Sequence, residues 1–227
     1  MVHDGDCIQL GFGGIPNAIG FELMNRHDLG IHTEQIGASM AHMIQSGVVT
    51  NRYKNLDRGW SVGAFIIADN FTYNYVNNHP RIMMRRGRYT NDPMIIAQQD
   101  NMVSINAALQ IDLTGQVAAE AIGTVQWSGT GGATDYAYGA YHSRGGRAML
   151  CQISTAKKGT VSRIAPILDP GSIVSVSRNL TDMVITEYGV AKLRQRTVKQ
   201  RVENLIAVAH PDFRAELRKE ANKYMYF

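Results

Sequence analysis

Near the start of the chain, the short apolar run CIQLG (residues 7–11) passes through the glycine-rich turn GFGGIP (11–16) into an amphipathic stretch, PNAIGFELMNRH. A strand that turns this tightly into a helix buries its apolar faces only inside a layered sheet, so this unit constrains the fold more than any other part of the sequence. Pro16 stands at the expected helix start, where its missing N–H costs nothing. The unit then recurs. LGIHT (29–33) leads into SMAHMIQSG, where Met40, Met43 and Ile44 share one helical face, and WSVGAFII (60–67) leads into ADNFTYNYVNN, which stops at Pro80. The alternation predicts an α/β fold.

Further along, residues 102–129 read as consecutive strands with turns at Thr114-Gly115 and around Gly123. RAMLCQIST, TVSRIAPIL, SIVSVS and DMVITE extend this β-rich zone to residue 187, and residues 197–223 form a closing helical pair in which Pro211 opens the second helix. With no repeat, low-complexity tract or long linker, the 227 residues, 44% of them hydrophobic, predict one α/β domain over 1–227. Apolar runs such as AFII (64–67) fall far short of the roughly 20 residues that cross a bilayer. The N-terminus MVHDGDCIQLG lacks the basic start and apolar middle of a secretion signal, so a cytoplasmic location without membrane attachment is expected. Cys7 and Cys151 lack neighbours at metal spacing, which predicts buried free thiols and no metal site. A net charge of +4 suits anionic small molecules. The MRRGR cluster (84–88) reads as a solvated strand end, and without a basic stripe interleaved with aromatics no nucleic-acid role is expected.

Glu34 follows LGIHT directly, and with the GFGGIP turn it admits three readings. In the first, the turn is an ordinary strand-to-helix connection and the glutamate a solvated end. In the second, the pair forms a dinucleotide site, with Glu34 as the ribose-binding acid about 20 residues past the glycines. Pro16, however, occupies the sixth fingerprint position, where a glycine is needed for close helix packing. In the third, Glu34 is a nucleophile that attacks a thioester, while backbone N–H groups of the turn hold the oxyanion.

Read together, DGDCIQLGFGGIPNAI, LGIHTE, SGVVTN, YTNDP, VSINAALQIDLTGQVAAE, SGTGGATDY, STAKKGTVSRIAPIL, VITEYGVAKL and LIAVAHPDFRAEL favour the third. In that order they resemble the C-terminal domain of the acetyl-CoA hydrolase/transferase family, especially its 4-hydroxybutyrate and butyryl-CoA:acetate CoA-transferases. The resemblance implies an open mixed sheet of the CoA-transferase type (NagB/RpiA-like, akin to sugar-phosphate isomerase folds) with flanking helices and a C-terminal helical pair. It also implies a covalent glutamyl-CoA thioester at Glu34, with coenzyme A and a short-chain carboxylate as substrates. Gly11, Phe12, Gly13, Gly14 and Ile15 would line the CoA site, together with Gly132, Tyr136 and Lys157. The N–H groups of Phe12 and Gly132 would form the oxyanion hole. Glu187 would border the site, with capping of a following helix as its ordinary role, and Asn91 would orient the nucleophile or simply form a turn. His32 is expected to pack, because an ionised carboxylate nucleophile needs no base.

Two stretches depart from the family pattern. A usual Asp-Gly after the glutamate is Ala38-Ser39, and in GGATDYAYGA Ala133 replaces a glutamine and Tyr138 an arginine. Relatives are also roughly twice as long, with a similar N-terminal half, so a missing half or partner chain, or self-association, is expected for activity. Hydrolysis of acyl-CoA, or CoA binding without turnover, are the alternative outcomes of the same site.

Overall fold

The computed structural model describes residues 1–224. The chain forms two compact units, one from residues 1–106 and 135–148, the other from 107–134 and 149–227.

The first unit opens with β1 (Cys7–Leu10), α1 (Gly14–Glu22), β2 (Gly30–Ile31), β3 (Gln35–Ile36) and α2 (Ala38–Gln45). It continues through β4 (Ser61–Gly63), β5 (Phe65–Ile66), α3 (Asn70–Val76), β6 (Ile82–Met84), α4 (Gly87–Thr90), α5 (Pro93–Ile96) and β7 (Met102–Ala107), and includes α6 (Ala133–His142). Strand β1 lies between β2 and β7, parallel to both, with Ile8 opposite Ile31 and Val103. A central parallel strand is buried on both faces, which explains why all four of its residues are buried, the polar Gln9 being paired with Asn106. Each large side chain sealed here, such as Ile8, Ile31 or Met102, contributes about 1.5–3 kcal/mol.

Local departures from the sequence reading have physical reasons. Helix α1 starts at Gly14, two residues before Pro16, because the whole first turn lacks intrahelical acceptors and tolerates proline. LGIHT keeps only two strand residues, flanked by single bridges from Leu29 to Val49 and from His32 to Val62. WSVGAFII divides at Ala64, since β4 pairs with β6 whereas β5 pairs with β3. Asp69 caps α3 by accepting from Thr72 N–H at 2.9 Å, and that helix ends at Val76, short of Pro80. Helix α6 lies inside the zone read as β-rich, in a stretch to which the sequence reading assigns no strand, and Tyr136, Ala137 and Ala140 form its buried face.

In the second unit β8 (Gln110–Asp112) pairs antiparallel with β9 (Val117–Ala118) across the expected turn, where Asp112 accepts from Thr114 N–H and Oγ1–H at 2.9 and 2.7 Å. Strands β10 (Ala121–Ile122) and β11 (Val125–Gln126) form a hairpin around Gly123. Beyond β12 (Arg147–Cys151), β13 (Thr155–Ala156) and β14 (Val161–Ser162) form a second hairpin, and β15 (Ile164–Ala165) runs parallel to β8. Strand β16 (Met183–Thr186) is parallel to β12 and antiparallel to β17 (Gly189–Lys192), so the sheet is mixed. SIVSVS contributes only the Val176 bridge to Val117. The helical pair is α7 (Val198–Ala207), opened by a Thr197/Gln200 capping box, and α8 (Pro211–Lys223), with Pro211 in its first turn. Both cysteines are buried and free, and burial pushes the Cys7 thiol up to about 11 and that of Cys151 to about 12.

Candidate active site

Residues 32–34 run as an extended segment tied on both sides. His32 N–H donates to Ile8 O at 3.2 Å and Thr33 N–H to Val62 O at 3.0 Å, while Glu34 O accepts from Ala64 N–H at 2.8 Å and Phe65 N–H at 3.1 Å. These bonds fix the main chain at Glu34, and its half-buried side chain reaches Asn91, whose Nδ2–H donates to Glu34 Oε1 at 3.0 Å. Asn91 closes α4 just before Asp92, which caps α5 through Met94 N–H with Pro93 at the first position. YTNDP is therefore a junction between two one-turn helices that aims the Asn91 amide at the carboxylate.

Behind this pair the chain is densely bonded. Thr90 Oγ1–H donates to Asn91 Oδ1 at 2.9 Å, and Thr90 O faces the Tyr136 hydroxyl at 2.7 Å and His32 Nε2 at 3.1 Å. Burial first, and the Lys54 ammonium second, push the His32 imidazole down to about 4, so it is neutral at pH 7. Its bonded Nε2 must then carry the proton. His32 thus packs and donates, in line with the structural role expected of it. Tyr136 requires a correction: expected to line the CoA site, it is fully buried, and its hydroxyl is committed to the main chain behind Glu34. Asp135, which sequence reasoning missed, is held above the usual carboxylate range by burial and by the Glu34 charge, with the Asn91 amide opposing.

Beside this segment opens a cleft of about 310 Å³ lined by Gly11, Phe12, Gly13 and Gly14 on one side and by Gln35, Gly37, Ala38 and Ser39 on another. Ile15 lies in the first turn of α1. A Cβ at Gly11 would collide with Asn106, which is locked to Gln9 by two side-chain bonds of 3.0 and 3.1 Å. Gly13, at φ 122°, has a conformation that L side chains rarely adopt. Phe12 between them is 70% exposed. The cleft meets the N-termini of both α1 and α2, whose capping residues, Gly13 and Gly37, make no side-chain cap bond. The Ser39 N–H of α2 is taken by Asn17 Oδ1 at 3.0 Å, and the remaining N-terminal N–H groups favour an anion or a developing oxyanion. Of the α2 side, the sequence reading singles out Ala38-Ser39, which line the cleft, but not Gln35 or Gly37.

In the second unit, Gly132 is buried immediately before α6. Glu187 follows β16 and leads into a turn to β17, so no helix is there for it to cap. Instead both its oxygens bind Ser154, Oε2 accepting from the N–H at 2.9 Å and Oε1 from the hydroxyl at 2.6 Å. Partial burial raises its carboxyl, but the Ser154 donors outweigh this and leave it below the usual range. Lys157 is exposed at the tip of the β13–β14 hairpin, and Lys157, Lys158 and Gly159 have φ of 48°, 57° and 89°. Among the described residues no cluster of three or more His, Cys, Asp or Glu could hold a metal, and no helix is long and apolar enough to cross a membrane.

The first unit thus holds Glu34 by the Asn91 amide, and the next residue, Gln35, lines the glycine-rich cleft. Residues 69–221 match the family model described as the acetyl-CoA hydrolase/transferase C-terminal domain, and the chain belongs to that family. It is 47% identical, over 98% of its length, to the succinyl-CoA:cyclohexane-1-carboxylate CoA transferase of Geobacter metallireducens, and 45% identical over 98% to the 4-hydroxybutyrate coenzyme A transferase of Clostridium kluyveri. It spans 51% and 52% of those two proteins, about half their length. Among solved structures, RipA from Yersinia pestis superposes with a TM-score of 0.95 at 46% identity, covering 99% of this chain and 50% of that one. A 4-hydroxybutyrate CoA-transferase from Porphyromonas gingivalis gives 0.85 at 42%, covering 98% and 52%. The α/β architecture with open sheets is thus that of the CoA-transferases.

Proposed function

We propose that this chain is the C-terminal half of a CoA-transferase that moves CoA between a short-chain acyl-CoA and a free carboxylate through a thioester on Glu34. The observation that carries this reading is the Asn91–Glu34 bond: a carboxylate fixed by its main chain and held by an amide donor, one residue before Gln35, which lines the glycine-rich cleft. The Glu34 carboxylate attacks the thioester carbon, giving a mixed acyl-glutamyl anhydride and releasing CoA thiolate. That thiolate attacks the glutamyl carbonyl, forming the glutamyl-CoA thioester and freeing the first acid. The incoming carboxylate repeats both steps in reverse, leaving with CoA and restoring Glu34. Each tetrahedral oxyanion needs a donor, and the Phe12 N–H on the cleft rim is suited to supply one. The names of the relatives support the substrate class, since one pairs succinyl-CoA with a carboxylate and the other names 4-hydroxybutyrate in a coenzyme A transfer.

Because the chain spans half of those relatives, full turnover is expected with the other half supplied. The test is mass spectrometry after incubation with butyryl-CoA and borohydride, with and without an N-terminal half supplied as a separate chain. Reduction at residue 34 in the wild type and none in Glu34→Ala is the expected result. No adduct with both halves present would overturn the covalent route. Loss of butyryl-CoA at the same rate with and without acetate would identify a hydrolase instead.

A further inference from the structure

Asn91 serves Glu34 in only one of its two amide orientations. A carboxylate accepts and does not donate, so Nδ2 must face Glu34 and Oδ1 must face away. The two orientations fill nearly the same volume, and packing alone selects neither. The carboxylates of Glu34 and Asp135 favour Nδ2 on their side, and a donor on the far side completes the selection: Thr90 Oγ1, 2.9 Å from Asn91 Oδ1. Its other acceptor, Gly87 O, is at 3.5 Å, too long to compete. Thr90 is itself completely buried, and its carbonyl is bonded by Tyr136 and His32, both also completely buried. A buried carbonyl bonded twice gives the main chain at residue 90 little room to move.

We propose that Thr90 is a positioning residue: its hydroxyl holds the Asn91 amide from the side opposite the carboxylates, and through that amide steadies Glu34, while Tyr136 and His32 hold its main chain in place. The catalytic consequence rests on the reading of Glu34 as nucleophile, whereas the polarity relay stands apart from it. Thr90→Val keeps the shape and removes the donor; Thr90→Ser keeps the donor and removes a methyl.

Two measurements separate the relay from the function. The first is the side-chain amide proton pair of Asn91 in 15N-labelled protein. In Thr90→Val this pair is expected to shift as it does in Glu34→Gln, and in Thr90→Ser to stay near its wild-type position. The second is the rate of adduct formation at residue 34 with both halves present. Thr90→Val should lower kcat about tenfold, the worth of one hydrogen bond, with KM for acyl-CoA unchanged, and Thr90→Ser should stay within about threefold. Tyr136→Phe, which removes one of two donors to a main-chain carbonyl, should lower kcat less than Thr90→Val does. An Asn91 amide unmoved by Thr90→Val would overturn the relay, and so would equal losses in the Val and Ser variants, which would point to packing. If the amide responds as stated while even the wild type forms no adduct, the relay stands and the transferase reading falls.

Discussion

Glu34 and Glu187 are both glutamates in the family's motifs, yet the structure surrounds them in opposite ways. Glu187 gives both oxygens to one residue, Ser154, through bonds of 2.9 and 2.6 Å. Glu34 has its Oε1 held by Asn91, and the support for that bond lies deeper, in Thr90, Tyr136 and His32. An attacking carboxylate must offer a lone pair to carbon, and short charge-assisted bonds on both oxygens work against that. Glu187 is thus suited to stapling the start of the STAKKG segment.

The strongest way to break this contrast is to neutralise each glutamate in turn. With both halves present, Glu34→Gln should lower kcat by at least about 10³-fold and abolish the adduct, because an amide cannot form the anhydride. Glu187→Gln, which keeps one acceptor oxygen for Ser154, should stay within about tenfold and still form the adduct at residue 34. An adduct at residue 187, or its survival in Glu34→Gln, would reverse the assignment.

Acid sharpens the contrast through stability. His32 falls from 6.5 unfolded to about 4 folded, so the unfolded chain binds the extra proton and stability drops as pH decreases between those values. The full loss is on the order of 3 kcal/mol. Glu187 is also depressed, but from 4.5, so its contribution is lost only below that value. Denaturant unfolding at pH 7.5 and 5.0 should therefore show a loss that His32→Gln, which keeps a side-chain donor, reduces. A loss of equal size in His32→Gln would place the titration elsewhere.

How much of this was legible in the sequence follows from the range of the forces involved. The β1–turn–α1 unit and the α7–α8 pair are local, written in apolar period, proline and caps, and they stand where expected to within about two residues. The nucleophile candidate and Asn91 were readable only through motif order, since 57 residues separate them and a hydrogen bond at that distance leaves no local pattern. Thr90 and Asp135 had no comparable signal. Tyr136 was misjudged because a tyrosine in a glycine-rich motif looks like a ligand contact, whereas its surroundings in α6 bury it. Helix α6 falls between the strand segments named in the β-rich zone, and the face it buries depends on distant contacts.

The smallest expected effect concerns Lys157, where charge and backbone conformation are entangled. It is exposed on a hairpin tip, at φ 48°, followed by Lys158 at 57°. A left-handed conformation costs a non-glycine residue about 1 kcal/mol, so the tip is held against its local preference. Lys157→Ala removes the ammonium and keeps the strain; Lys157→Gly removes both. If the ammonium meets a CoA phosphate, both variants should raise KM for acyl-CoA about threefold at low salt with kcat unchanged, and the difference from wild type should shrink as salt screens the charge. Lys157→Gly should also melt slightly higher than Lys157→Ala, because glycine adopts this φ without penalty. Equal KM values in all three proteins would remove Lys157 from the CoA site and leave the second unit's motif with Glu187 and Ser154 alone.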